Sequence, residues 1–397
     1  MKNIQSMLTT VAVASLLAAC SGQDTGSNGQ SIVNEDQLPK PVGVPGGNGI
    51  GHDAKVMTRN LYLGADLSPA IGATSLHAFV EATGGVLRQV TATNFPVRAV
   101  GLATEILGAK PDLVGLQEVA LWRTGPASLA PMLGGPKTAA TVRYDYLQLL
   151  LDQLNAGGKK NYQAVAIEEE FDLEAPANEN GIDGDGPEPI INAELNARLT
   201  MRDVILARVD SGVHVSHAEG GHFQNLLVLP VLGAPLTVTR GWTKVDARVR
   251  GTGTFRFVST HLEAFDPASL VPSIRALQAG ELVGEGGPMH VDMPAILVGD
   301  LNSDDDTVAP GDQQAYRVLL DAGLVERSTG DPLSCCIESS YDLKSGSVSE
   351  FDHQVDHVMT NSPDTVRLVE SFVTGRTMNN GWWDSDHAGV FSQLRLR

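Results

Sequence analysis

The chain has 397 residues, 42% of them hydrophobic and 19% charged, with a formal net charge of −19. That length and apolar content sustain a large folded core, and past the N-terminal leader no run reaches the about 18 apolar residues of a membrane span. So negative a balance argues against an electropositive groove tracking a polyanion, and tight binding to long nucleic acid is disfavoured.

Lys2 gives a short basic start, residues 8–19 are apolar, and small residues precede Cys20. Residues 1–19 therefore read as a signal peptide outside the fold. The tetrapeptide Leu17-Ala18-Ala19-Cys20 resembles a bacterial lipobox, which implies lipidation of Cys20 and anchoring in the bacterial cell envelope. Ser21 after the cysteine leans towards the outer membrane. The alternative is an ordinary secretory leader with an incidental cysteine and a secreted product. Residues 20–54, rich in Gly, Ser, Asn, Gln and Pro, bury little and read as a flexible tether. The folded domain is assigned to 55–397.

Residues 55–60 read as a first strand. Residues 96–109 are amphipathic, with Val97, Val100, Ala103, Ile106 and Leu107 on one face at helical spacing. Pro111 ends that helix, and 113–116 form a short buried strand. A second helix spans 144–155, closed by Gly157-Gly158, and a strand covers 162–167. Residues 168–190 are acidic and broken by Pro and Gly, so they read as a solvated loop. Within it Asp183-Gly184-Asp185 hints at a calcium loop, with Glu194 at the twelfth position. Glu188, however, stands where the sharp-turn glycine belongs. Residues 204–209, 226–229, 242–250 and 254–260 are β-branched and apolar, the last two a hairpin about Gly251-Thr252-Gly253. Helices follow at 268–283 and 313–321, and strands at 295–298, 355–359, 366–373 and 388–396. Many strands with a few helices fit one α/β sandwich.

Five segments place polar groups at strand ends: Thr58-Arg59-Asn60, Gln117-Glu118, Ser259-Thr260-His261-Leu262, Gly299-Asp300-Leu301-Asn302, and the pair Val355-Asp356-His357 with Ser385-Asp386-His387. Side chains alternate along extended backbone, so Asp300 and Asn302 point the same way. One is an anionic acceptor and the other a neutral donor, a pairing suited to phosphate ester cleavage. Singly, each is a weak signal, since an acid after a strand is commonly a cap or loop residue.

Together, in this order, they resemble the endonuclease/exonuclease/phosphatase superfamily, shared by DNase I-like nucleases, apurinic endonucleases, inositol polyphosphate phosphatases and neutral sphingomyelinases. Arg275 and Gln278, on the helix after His261, match a pair common there. The resemblance covers about residues 55–397 and implies an α/β fold of four layers, two packed mixed β-sheets flanked by helices. It implies Glu118 as principal ligand of a divalent cation, magnesium or manganese, with Asn60 and Asp386 beside it. It further implies Asp300 as orienter or base of the attacking water and Asn302 as phosphate positioner. His261 and His387 are implied donors to phosphoryl oxygens, with Asp356 holding the tautomer of His387. Whether Asp300 or His387 takes the proton stays open.

This chain departs from the pattern at Arg59 and at Arg202-Asp203, where many relatives have other residues. Arg202 is a candidate phosphate contact or the partner of Asp203 or of a surface acid. Trp382-Trp383, just before Ser385, are candidate substrate-binding residues at the rim, as are Glu263 and Phe265. Asp304, Asp305 and Asp306 read as a solvated capping loop. Cys335 and Cys336 admit a vicinal disulfide, free thiols or pairing between molecules. The expected activity is metal-dependent phosphodiester hydrolysis by a monomer on a membrane. The alternatives are an envelope nuclease, a sphingomyelinase-like phospholipase C, and an inactive surface-binding lipoprotein.

Overall fold

Two sheets packed face to face position every strand-end residue of interest. The computed structural model describes residues 53–182, 192–266, 270–304, 313–329, 332–337, 342–362 and 364–396. In chain order the strands are β1 (Asp53–Asn60), β2 (Leu113–Gln117), β3 (Leu121–Pro126), β4 (Thr141–Asp145), β5 (Tyr162–Ala177), β6 (Leu195–Arg208), β7 (His214–His222), β8 (Leu227–Val231), β9 (Ala234–Val238), β10 (Gly241–Arg248), β11 (Phe255–His261), β12 (Ala295–Asp300), β13 (Val325–Glu326), β14 (Asp356–Thr360), β15 (Val366–Thr374) and β16 (Gly389–Leu396). The helices are α1 (Ser68–Ile71), α2 (Leu76–Ala92), α3 (Phe95–Ala109), α4 (Tyr146–Leu154), α5 (Ile274–Val283) and α6 (Gln314–Asp321). Among the described residues, β15-β16-β1-β2-β6-β3-β4 form one mixed sheet with β5 paired to β6, and β13-β14-β12-β11-β10-β7 form the other.

The central strands are buried on both faces, so their sequences read as apolar runs rather than alternations. Val56 of β1 and Val298 of β12 face the core between the sheets, whereas Met57 packs under α2, α3 and α4, and Leu297 under α5 and α6. The result is the expected four-layer sandwich. Gly115 lets the sheets close at the site end: a Cβ there would lie 2.5 Å from Val298 and 2.6 Å from Ser259.

Most expected elements are present, with corrections. The 168–190 segment is not all loop, because β5 runs on to Ala177 against β6. Asp172 in that strand is clasped by Arg198 and Lys137. The Asp183-Gly184-Asp185 motif lies outside the described residues, as do Cys20, the leader, the tether to residue 52, and Asp305 and Asp306. Asp304 is not solvated: it is buried and accepts from the Gln354 amide at 3.0 Å. The buried stripe of α3 is Ala99, Leu102, Ala103 and Ile106, and Val100 is 44% exposed. Helix α2 was not foreseen, because Gly84-Gly85 interrupts its apolar periodicity. Gly84 is needed, since its Cβ would sit 1.8 Å from the Asn178 carbonyl. Helix α5 begins at Ile274, capped by Ser273.

Arg98 of α3 is fully buried, a polar insertion in an apolar stripe. Its guanidinium donates to the carbonyls of Leu61 (2.7 Å), Asp384 (2.9 Å), Thr93 (3.0 Å) and Tyr62 (3.1 Å), and lies 4.9 Å from the Phe95 ring centroid. It thus ties the segment after β1 to the C-terminal segment. Arg98→Met should cost about 3–5 kcal/mol by orphaning buried acceptors. Urea unfolding would show this as a lower midpoint at unchanged slope, and a loss under 1 kcal/mol would refute the tie.

Candidate active site

Strand register assembles the site. In the second sheet His261 of β11 pairs with Asp300 of β12, which pairs with Asp356 of β14, so the three occupy one row at the strand ends. In the first sheet Asn60 pairs with Gln117. The two sheets are joined here by side chains. Thr58 Oγ1 donates to Gln117 Oε1 (3.1 Å), and Gln117 Nε2 donates to Ser259 Oγ (3.0 Å).

Asp300 is the centre. Its Oδ2 accepts from Asn60 Nδ2 at 3.0 Å and stands 3.4 Å from His261 Nε2 and 3.7 Å from His387 Nε2. Its Oδ1 accepts from the Asn302 amide at 2.9 Å. His387 Nδ1 lies 2.9 Å from Asp356 Oδ2, and Arg240 Nη1 donates to His261 Nδ1 at 3.2 Å. Arg240 therefore leaves the proton of a neutral His261 on Nε2, aimed at Asp300. Asp300, Asp356 and His387 bring one ligand atom each within 4.8 Å of one another.

Electrostatics separates the two histidines. Burial, then the Arg240 charge and His387, push His261 well below its usual value. Burial also opposes charge on His387, but Asp356, Asp300 and Asp386 together hold it well above. Asp300 is raised, by burial first and Asp356 next, against the lowering effect of His387. Groups driven apart in this way take opposite proton roles.

Glu118 sits at a left-handed φ of 55° immediately after β2. Its Oε2 accepts from the Leu63 amide at 2.6 Å, and its Oε1 has no hydrogen bond among the described residues. Asp386 is pushed up to about 6, by burial first and by the Glu118 charge among the other causes. The charges of Glu118 and Asp386 oppose each other here, Asn60 Oδ1 accepts from the Tyr62 amide at 2.9 Å, and oxygen donors of this chemistry suit a hard divalent cation.

Several residues brace this arrangement. Arg59 pairs with Glu105 (3.0 Å) and donates to the His387 carbonyl, so the unusual residue beside Asn60 secures the C-terminal histidine. Ser385 Oγ donates to the Asn60 carbonyl (2.9 Å). Arg275 donates to the carbonyls of Asn302 and Ala264, and Gln278 accepts from the Glu263 amide (2.9 Å). Asn302 itself spends one amide hydrogen on the Leu262 carbonyl (3.1 Å).

Of the three expected substrate residues, Arg202 and Trp383 are buried. Arg202 donates to the Val119 carbonyl (2.9 Å) and to Asp145 (2.6 Å). Trp383 is buried against Phe351, with Nε1 donating to the Ser345 carbonyl. Trp382 is partly exposed beneath Lys344, whose Nζ lies 4.4 Å from its ring centroid. Arg240 went unnoticed because nothing near it in the sequence marks it. Cys335 and Cys336 are bonded to each other, and their sulfurs lie 3.9 and 3.8 Å from His387 Nε2, a placement adjacency alone could not disclose.

The family model "Endonuclease/Exonuclease/phosphatase family" matches residues 84–387. The chain belongs to the endonuclease/exonuclease/phosphatase family. Solved structures similar to it include an endonuclease/exonuclease/phosphatase from Beutenbergia cavernae DSM 12333, at 21% identity over 87% of this chain and 72% of that one, TM-score 0.47. A family protein from Bacteroides thetaiotaomicron is 14% identical over 87% and 99%, TM-score 0.48. A mannosyl-6-phosphatase from Bacteroides thetaiotaomicron VPI-5482 is 15% identical over 86% and 99%, TM-score 0.44. No curated protein matches the chain. Membership in this family makes the protein a phosphoester hydrolase.

Proposed function

We propose that the protein is a divalent-metal-dependent phosphodiesterase of the bacterial envelope. The observation that carries the reading is the Asp300 carboxylate, held by Asn60 at 3.0 Å and faced by two histidine Nε2 atoms at 3.4 and 3.7 Å. Glu118 and Asp386, with Asn60, would hold magnesium or manganese, which when bound polarises a phosphoryl oxygen and neutralises charge.

The chain's own residues do the rest. Asp300 Oδ2, oriented by the Asn60 amide, takes the proton of the attacking water. His261, neutral and with Nε2–H facing the site, donates to a phosphoryl oxygen. His387, kept cationic by Asp356, donates a second hydrogen bond where charge develops, and such preorganised donors act mainly on the transition state. Asn302, its backbone tied to Asp300, presents its remaining amide hydrogen to the phosphate. Products are a phosphomonoester and an alcohol, with no covalent enzyme intermediate.

The test is hydrolysis of bis-p-nitrophenyl phosphate, p-nitrophenyl phosphate, plasmid DNA and sphingomyelin with magnesium and with EDTA. Turnover of the small diester should vanish in EDTA and return with excess magnesium, and plasmid DNA should be a poor substrate given the charge of −19. Lack of metal-dependent turnover on all four would sink the reading. Anchoring rests on the Leu17-Ala18-Ala19-Cys20 segment. Cys20→Ala should move the protein, a monomer in this reading, from the membrane to the soluble fraction; retention in the membrane would refute lipidation.

A further inference from the structure

An apolar cavity of about 150 Å³ adjoins this site. Its floor is the outer face of β5 and β6, with Phe171, Leu173, Leu199 and Met201, and α2 closes one side with Phe79 and Val86. Its roof is the β8–β9 hairpin, which among the described residues pairs with neither large sheet. Hairpin residues alternate, so Leu229, Val231 and Leu236 point into the cavity while Val228 is 52% exposed.

Two features join the cavity to the catalytic row. Glu118 and Arg240 are in its wall, and Arg240 is the residue that orients His261. Phe265, 40% exposed, also borders it and follows His261 by four residues on the loop braced by Arg275 and Gln278.

Two polar side chains of the wall are spent on backbone carbonyls. Thr83 donates to the Phe79 carbonyl (2.8 Å) and Trp122 Nε1 to the Leu63 carbonyl (2.9 Å). The Arg240 charge is met by buried acids: Glu263 lies at 3.9 Å, and Glu170 and Asp203 act on the same guanidinium. Against the apolar floor and roof, the donors and acceptors of a nucleobase or sugar would go largely unpaired, whereas a hydrocarbon would lose nothing there. A hydrocarbon chain seated there would gain the packing contacts that these apolar walls offer.

Resting on the phosphodiesterase reading, we propose that this cavity receives an unbranched hydrocarbon chain of the substrate, so that the enzyme prefers phosphodiesters bearing an alkyl or acyl group. An apolar cavity of this volume takes a hydrocarbon of about six carbons.

The experiment compares kcat/KM for methyl, butyl, hexyl and dodecyl p-nitrophenyl phosphates in magnesium. An increase of about fourfold per methylene, levelling near six carbons, is expected. Leu236→Trp and, as a second variant, Leu229→Trp fill the cavity from the hairpin. Each should flatten the series and leave the methyl ester rate unchanged, which also reports an intact fold. A flat series in the unmodified protein, or a slope surviving both variants, would overturn the proposal while the phosphodiesterase reading stands. If no ester is turned over, that reading fails instead. Calorimetry then decides the cavity alone: hexyl phosphate should bind at least tenfold more tightly than methyl phosphate, and equal binding refutes it. Sphingomyelin vesicles against the soluble hexyl ester distinguish a bilayer lipid from a soluble alkyl ester as the source of the chain.

Discussion

Asp300→Asn should lower kcat about a thousandfold, the combined scale of losing a general base and the charge that organises its donors. Asparagine matches the shape, so the contacts from Asn60 and the Asn302 amide would be rearranged rather than vacated. The carboxylate is buried and pushed up by burial and by Asp356, so its removal relieves a cost in the folded state. Activity should therefore collapse while the thermal midpoint holds or rises, the usual sign of a group kept for function at the expense of stability. Steady-state kinetics on bis-p-nitrophenyl phosphate beside a melting curve measures both. A rate within tenfold of the parent would remove Asp300 from its place at the centre of the site.

Asp356→Asn acts one step further back. Asp356 Oδ2 lies 2.9 Å from His387 Nδ1, and its buried Oδ1 has no hydrogen-bond partner among the described residues, so the carboxylate's main work is on the imidazole. An asparagine there no longer holds His387 as a cation and can select the wrong tautomer. The equivalent loss in serine-protease triads costs about 10⁴ in kcat. Here, with His261 and Asp300 intact, a drop of about 10²–10⁴ in kcat with little change in KM is expected. The double variant with His387→Ala should be no slower than His387→Ala alone, because both changes remove one donor. Additive losses would mean that Asp356 acts on something other than His387.

The family and the sandwich architecture were legible in the chain for a physical reason. Buried central strands must be continuous apolar runs, and groups placed at their ends stand out against that background. Leu113 to Leu116 before Gln117-Glu118, and Ala295 to Val298 before Gly299-Asp300, are of this kind. Helix α2 and the long arms of β5 and β6 were obscured because their glycines and charges are satisfied by distant partners. Asn178 lies over Gly84, and Arg198 and Lys137 surround Asp172. Arg202 and Trp383 carried suggestive chemistry that the fold spends on Asp145 and Phe351.

Motif order alone thus placed the chain in its family. Only the tertiary structure decided how its residues divide the work. Arg240 beside His261, and Asp356, Asp300 and Asp386 around His387, push the two imidazoles in opposite directions. The bonded cysteines against His387 and the apolar cavity behind Glu118 likewise arise from segments far apart in the chain. Charge state and cavity shape depend on what lies within a few ångströms in space, and sequence spacing does not encode that distance.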